Sequence, residues 1–196
     1  MALTQVKNSG LNTSVITAGL PAGSILQTIS ATDGTAELFT STDSGTPETI
    51  ISAAITPSSS SNKVLITGFL SLGVLYSNYS GRLDYLGVRL KRGSTVIGEP
   101  ASLSTLTTVH GGDASGARPM HSVSKDAGYS ASRSNSIPFH FTDSPNTTSE
   151  TTYNIQGVIE KNGAAYTMIQ NGSGYNYNND EGHLATCNLT LMEIKG

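Results

Sequence analysis

From residue 24 onward the chain is written in short segments. Each carries apolar residues in alternation or in a brief β-branched run, and each is bounded by Gly, Pro, Asn, Asp or Ser. No long amphipathic stripe of helical period interrupts them. A chain patterned with period two buries one side of each segment by pairing segments into sheets, and that limits the fold to the all-β class. The stretch Arg82 to Lys91 is the clearest case: Leu86, Val88 and Leu90 point one way, and Tyr85, Gly87, Arg89 and Lys91 the other. Arg92-Gly93-Ser94 then turns the chain into Thr95-Val96-Ile97-Gly98, a hairpin signature. Thr151 to Glu160 alternates again, with Tyr153, Ile155 and Ile159 on one face. Lys161-Asn162-Gly163 predicts a second hairpin, because Asn-Gly supplies positive φ, with residues 165–169 returning beside it.

Further strands are expected at 24–30, 36–41, 49–56, 63–74, 136–142 and 185–194, with Thr32-Asp33-Gly34 as a turn. The segment 63–74 holds Gly68 and Gly73 inside an apolar run, which suits a bent or close-packed strand. Pro138 places 136–142 at a sheet edge or at a strand start. Residues 99–135 read as long loops with one or two short strands. About ten strands without a helix predict an antiparallel β-sandwich of jelly-roll type, and no fixed period suggests a propeller or β-helix.

Composition agrees. Charged residues are 13% of the chain, about half of the roughly 25% usual in soluble domains. Ser and Thr, 27 and 24 of the 196 residues, take their place, and they suit the solvent side of half-buried strands. No apolar run approaches the ~20 residues of a membrane helix, and no signal peptide is visible, so no membrane partner is expected. The single Cys187 excludes an intrachain disulfide framework and a Cys-rich zinc site. A net charge of -3 argues against nucleic acid as a partner.

Residues 1–23 differ from the rest. Asn8 to Ser14 is turn-like, and Leu20-Pro21-Ala22-Gly23 punctuates the chain before the first strand. This stretch reads as a short extended N-terminal arm, followed by a single sandwich domain at 24–196. Leu3, Val6, Leu11, Val15 and Ile16 give the arm apolar residues that a free tail does not need, so they are the expected anchor to a partner or neighbouring subunit.

Catalytic signatures are absent. His110, His121, His140 and His183 form no HxH or HExxH spacing, so no metal or cofactor is expected. His140 alternates to the face opposite Phe139 and Phe141, where a surface or interface histidine belongs. Asp33, Asp43 and Asp143 fall in turns, where Asp has a structural task, and Gly172-Ser173-Gly174 is no nucleophile elbow. An enzyme is not expected. For recognition, the loop 171–183 joins Tyr175 and Tyr177 to Asn176, Asn179 and their polar neighbours. Aromatic faces with amides and acids suit a glycan or an adaptable protein contact, and Tyr76-Ser77-Asn78-Tyr79-Ser80 is a second such segment.

Several segments then resemble, in order, those of a family of phage virion surface proteins. They are Leu20-Pro21-Ala22-Gly23-Ser24-Ile25-Leu26-Gln27, the stretch Ile55-Thr56-Pro57-Ser58 to Ile66, Leu90-Lys91-Arg92-Gly93-Ser94-Thr95-Val96-Ile97-Gly98, Phe141 to Tyr153, and Leu189-Thr190-Leu191-Met192-Glu193-Ile194. The resemblance covers residues 20–196. It implies a tail-fibre-like β-sandwich, commonly a homotrimer, at the outside of a virion, made in the bacterial cytoplasm and in contact with other virion proteins and the host surface. Family members often carry the domain behind a longer shaft. With about twenty residues ahead of it here, the expectation is a short trimeric tail fibre, with a capsid decoration protein as the alternative and a polysaccharide-degrading spike third.

Overall fold

The structure is a computed structural model, and it describes residues 19–41, 47–75, 85–98, 121–124, 134–160, 166–171 and 185–196. Those residues form eleven strands: β1 (Ile25–Asp33), β2 (Glu37–Ser41), β3 (Glu48–Ile55), β4 (Lys63–Leu75), β5 (Tyr85–Arg92), β6 (Thr95–Ile97), β7 (His121–Ser124), β8 (Ser134–Asp143), β9 (Thr151–Glu160), β10 (Tyr166–Gln170) and β11 (Cys187–Ile194). They pack as two antiparallel sheets, a β-sandwich as the patterning requires. The six-stranded sheet runs β1-β11-β4-β10-β2 with β8 on β4, and the five-stranded sheet runs β3-β9-β5-β6 with β7 on β5.

The registers simplify this picture. β10 pairs with β4 at 72–75 and β11 pairs with it at 63–69, so they are two pieces of one row. β1 against β11 and β2 against β10 make a second divided row, and β6 and β7 divide a third along β5. Taking each divided row as one gives eight rows. One sheet then carries the first, eighth, third and sixth in chain order, facing the second, seventh, fourth and fifth.

Alternation fills the space between the sheets. Cys187, Leu189 and Leu191 of β11 meet Ile66, Leu70 and Leu72 of β4, and Val88, Leu90, Tyr153 and Ile155 close from the other sheet. All of these are fully buried. Gly68 sits where β4 crowds β11: a Cβ there would stand 2.1 Å from the Asn188 carbonyl oxygen and 2.9 Å from the Phe139 ring. The close-packed strand expected at 63–74 is therefore borne out at this residue.

Three sequence readings need correction. β9 and β10 are not a hairpin. β9 belongs to the five-stranded sheet and β10 to the six-stranded one, so the chain between them crosses from one sheet to the other. Asn-Gly provides a reversal, but it does not say whether the returning strand pairs alongside or packs opposite. Thr32 and Asp33 are not a turn either; they end β1, paired with Asn188 and Cys187. Asn171, expected in a polar loop, is fully buried. Pro138, by contrast, sits within β8, which among the described residues pairs only with β4 and is thus an edge.

Candidate functional site

At the end of the sandwich where β4 begins and β11 finishes, two carboxylates point inward from either side of Val64. Glu193 pairs with Val64 from β11, and Asp143 pairs with it from β8. Glu193 continues the buried series Cys187, Leu189, Leu191, taking a place where period two would set an apolar side chain. It is tolerated because donors converge on it. Oε1 accepts from the Ser58 amide (2.6 Å), the Ser58 hydroxyl (2.8 Å) and Asn62 Nδ2 (2.6 Å), while Oε2 accepts from Gln27 Nε2 (2.6 Å). Burial alone would raise this carboxyl, but the bonds from Asn62, Gln27 and Ser58 outweigh it and hold the group below the ordinary glutamate value.

The same network ties in the chain ahead of β1. The Gly23 amide donates to the Lys195 carbonyl (2.8 Å), and Lys195 Nζ donates to the Leu20 carbonyl. Gly23 adopts φ +86 in the turn that closes Ser24 N–H onto Pro21 O, a conformation that favours glycine. Beside it, Arg92 Nη1 donates to both oxygens of Asp143 (2.9 Å each) and the Tyr153 hydroxyl donates to Asp143 Oδ2 (2.7 Å). Burial, then the Asp143 carboxylate, push the Tyr153 phenol well above the usual tyrosine range. Every oxygen of both carboxylates is thus occupied by a structural donor.

A second polar cluster lies inside the six-stranded sheet, where two rows are divided at the same level. Asn171 follows β10 directly, at φ 55, and is fully buried. Its Nδ2 donates to the carbonyls of Asp33 (2.9 Å) and Thr35 (3.0 Å), its amide donates to the Ser71 carbonyl (2.9 Å), and its own carbonyl accepts from Ala185 N–H (3.1 Å). The Cys187 thiol donates to Asn171 Oδ1 (3.0 Å) and accepts from the Ser71 amide (3.3 Å). Gln170 Nε2 donates to Asp33 Oδ2 (2.7 Å). Burial pushes the Cys187 thiol up, opposed in part by the Ser71 amide. The Thr35 amide, against a desolvation that acts the other way, holds Asp33 below the ordinary aspartate value, with help from Gln170. The cluster keeps β10 and β11 in one line although residues 172–184 intervene.

The expected recognition residues Tyr175, Asn176, Tyr177 and Asn179 lie outside the described residues. So do the expected anchor residues Leu3, Val6, Leu11, Val15 and Ile16, and the segment 76–80. What the structure brings together instead are residues within the resembling segments: Gln27, Ser58, Asn62 and Glu193 in one network, Arg92, Asp143 and Tyr153 in the other. A signal for Glu193 existed, since it is an acid at an inward position of a strand whose alternation the sequence shows. Asn171 gave none, because its role follows from a division of rows that local pattern does not encode. His140 lies exposed on β8 between buried Phe139 and half-buried Phe141, on the face expected of it. Among the described residues no group of three His, Cys, Asp or Glu could hold a metal ion.

No family model matches the sequence, and no curated protein does. Among solved structures, the chain is similar in fold to one from infectious bursal disease virus Gt strain, with TM-score 0.40 and 14% identity over 87% of this chain and 38% of that one. The Gx strain of the same virus gives TM-score 0.40 and 16% identity, over 87% and 37%. T=1 particles derived from infectious bursal virus give TM-score 0.39 and 15% identity, over 87% and 36%. The chain thus spans well under half the length of the viral chains it resembles.

Proposed function

We propose that this chain is a structural protein of a bacteriophage virion: a short trimeric tail fibre whose sandwich contacts the host surface. The observation that carries the reading is the convergence of the segments that resemble phage virion proteins. Gln27 from 20–27, Ser58 and Asn62 from 55–66, and Glu193 from 189–194 bond to one another. Arg92 from 90–98 bonds to Asp143 of 141–153, as does Tyr153. The segments that carry the resemblance thus meet in two networks at one end of the sandwich. The order of rows supports the jelly-roll wrapping expected of such a domain.

In this reading residues 1–23 anchor the protein, which agrees with Leu20 and Gly23 being held at the end where the two carboxylate networks lie. Tyr175, Asn176, Tyr177 and Asn179 contact a host glycan or protein, and no catalysis or cofactor is assigned. The test is where and how often the chain occurs in purified particles. Antibody labelling at the tail, with on the order of tens of copies, is expected. Labelling over the head with on the order of hundreds of copies would replace the fibre by a decoration protein, and absence from particles would overturn both.

A further inference from the structure

The two outer faces of the sandwich are unlike. Strand registers define a grid on the six-stranded sheet, because residues directly opposite one another point to the same side. Its rows are Thr28, Met192, Leu65 and Thr142, then Ser30, Thr190, Thr67 and His140, then Thr32, Asn188, Phe69 and Pro138. Ile25 and Ile194 pair at the margin beside Lys63. Within those rows there is no Asp, Glu, Lys or Arg. Ile25 (56% exposed), Phe69 (36%) and Leu38 (43%) are three of the four large hydrophobic side chains exposed among the described residues. Leu38 joins this face because it neighbours Phe39, which packs on the core. The fourth, Ile29, lies on β1, which among the described residues is an edge of the same sheet. On the five-stranded sheet, the outward positions flanking buried Val88 and Leu90 are Arg89 and Lys91.

We propose that the outer face of the six-stranded sheet is the surface through which three copies of this chain meet about a three-fold axis, an inference that rests on the trimeric reading above. Three arguments select a second copy as the occupant. Copies that each carry -3 repel through charged faces, and among the described residues this face brings together no like charges except Lys63 at its margin. Its size is suitable: four strands, β1, β11, β4 and β8, at ~4.8 Å spacing and the height of β4 from Lys63 to Gly73 give about 650 Å². That is close to the ~800 Å² per partner of a standard interface.

The geometry also closes. A triangle with sides of about 19 Å keeps each sheet about 5.5 Å from the axis, near half the ~10 Å that separates packed sheets, so side chains reach the centre without a void. At each corner the β1 edge of one copy meets the β8 edge of the next. That covers Ile29 and removes two open edges at once.

Light scattering on the full chain, with three proteins, tests this. Wild type is expected at three times the 20.4 kDa chain mass. Thr67→Lys, which sets a charge at the centre of the face, is expected to dissociate at least a hundredfold more readily and to appear as a monomer at micromolar concentration. Thr152→Lys, exposed on a strand of the other sheet, is expected to remain trimeric. Circular dichroism checks that each variant folds, and if Thr67→Lys does not, His140→Lys at the exposed β8 edge reads the same face. A wild-type monomer would sink the trimer and this face together. A wild-type trimer that Thr67→Lys and His140→Lys leave intact overturns the face while the trimer stands.

Discussion

The network around Glu193 and the cluster around Asn171 both bury polar groups in the six-stranded sheet, yet they are built in opposite ways. Glu193 is a charged hub that gathers four hydrogen bonds from β1 and from the 56–62 connection. Asn171 is a neutral distributor that hands its amide protons to two carbonyls and holds the ends of strands already fixed elsewhere by pairing. The difference teaches where cooperativity lies. Losing the hub breaks bonds to β1 and to the 56–62 connection at once, whereas losing the distributor loosens one break in the sheet.

The harshest test strikes the strand pair that carries both. Gly68→Ala puts a methyl 2.1 Å from a backbone oxygen of β11, which cannot move aside as a side chain can, so β4 and β11 must part. A loss of about 3 kcal/mol or more is expected from overpacking at such a site, read as the urea midpoint. A near-neutral result would show that the two strands slide freely past one another and would remove the basis for treating the two clusters as fixed.

Next comes the hub. Glu193→Ala removes the acceptor of four hydrogen bonds, and although Asn62 Nδ2 keeps a bond to Ser58 Oγ and Gln27 Nε2 one to the Thr56 carbonyl, about 3 kcal/mol is expected from the loss of bonds to a charged group. If urea denaturation finds less than about 1 kcal/mol, water replaces the carboxylate and the hub is no hub.

Much of this was legible beforehand, and the exceptions share a cause. β9 begins and ends at the residues that its alternation marked, the Arg92–Ser94 turn joins β5 to β6, and Pro138 lies on an edge, since each depends on neighbours in sequence. The Gln27, Ser58, Asn62 and Glu193 network lay hidden inside recognisable segments, because hydrogen bonds between positions more than a hundred residues apart leave no local period. The crossing after Glu160 and the burial of Asn171 failed for the same reason. A reversal signal and a polar residue look alike whether the chain stays in its sheet or leaves it.

The distributor is expected to be less costly and conformationally selective. Asn171→Ala loses two bonds to carbonyls and a weak one from the Cys187 thiol and must hold φ 55, which disfavours alanine, for about 2 kcal/mol in all. Asn171→Gly loses the same bonds without that strain, so it should be about 1 kcal/mol more stable than Asn171→Ala. Equal losses in urea would mean that the backbone relaxes there and the left-handed conformation is not imposed.

The charge on the hub gives a smaller effect that depends on pH. Because the folded Glu193 carboxyl lies below its ordinary value of ~4.3, its contribution is complete above that pH. It is lost as pH falls through the folded value, since protons then bind the unfolded chain more readily than the folded one. Melting temperature should therefore fall more steeply with acid in wild type than in Glu193→Gln, with a residual slope from Asp33, whose folded value is also lowered. Parallel acid limbs in the two proteins would show that Glu193 does not carry the response.

The smallest effect uses Cys187 as a reporter that separates the two clusters. Its thiol is fully buried and pushed up by that burial, so a thiol reagent should label the native protein only through opening. Cys187→Ser keeps a donor toward Asn171 Oδ1 and is expected to lose only about 1 kcal/mol, so the thiol itself is a mild probe. If the break at Asn171 opens by itself, Asn171→Gly should speed labelling more than its loss of global stability accounts for, because a local opening adds a route. Glu193→Ala, acting at the far end of β11, should speed labelling only in proportion to global destabilisation. Should both variants fall on one line of labelling rate against stability, the break opens only with the whole sheet, and the hub and the distributor belong to one cooperative unit.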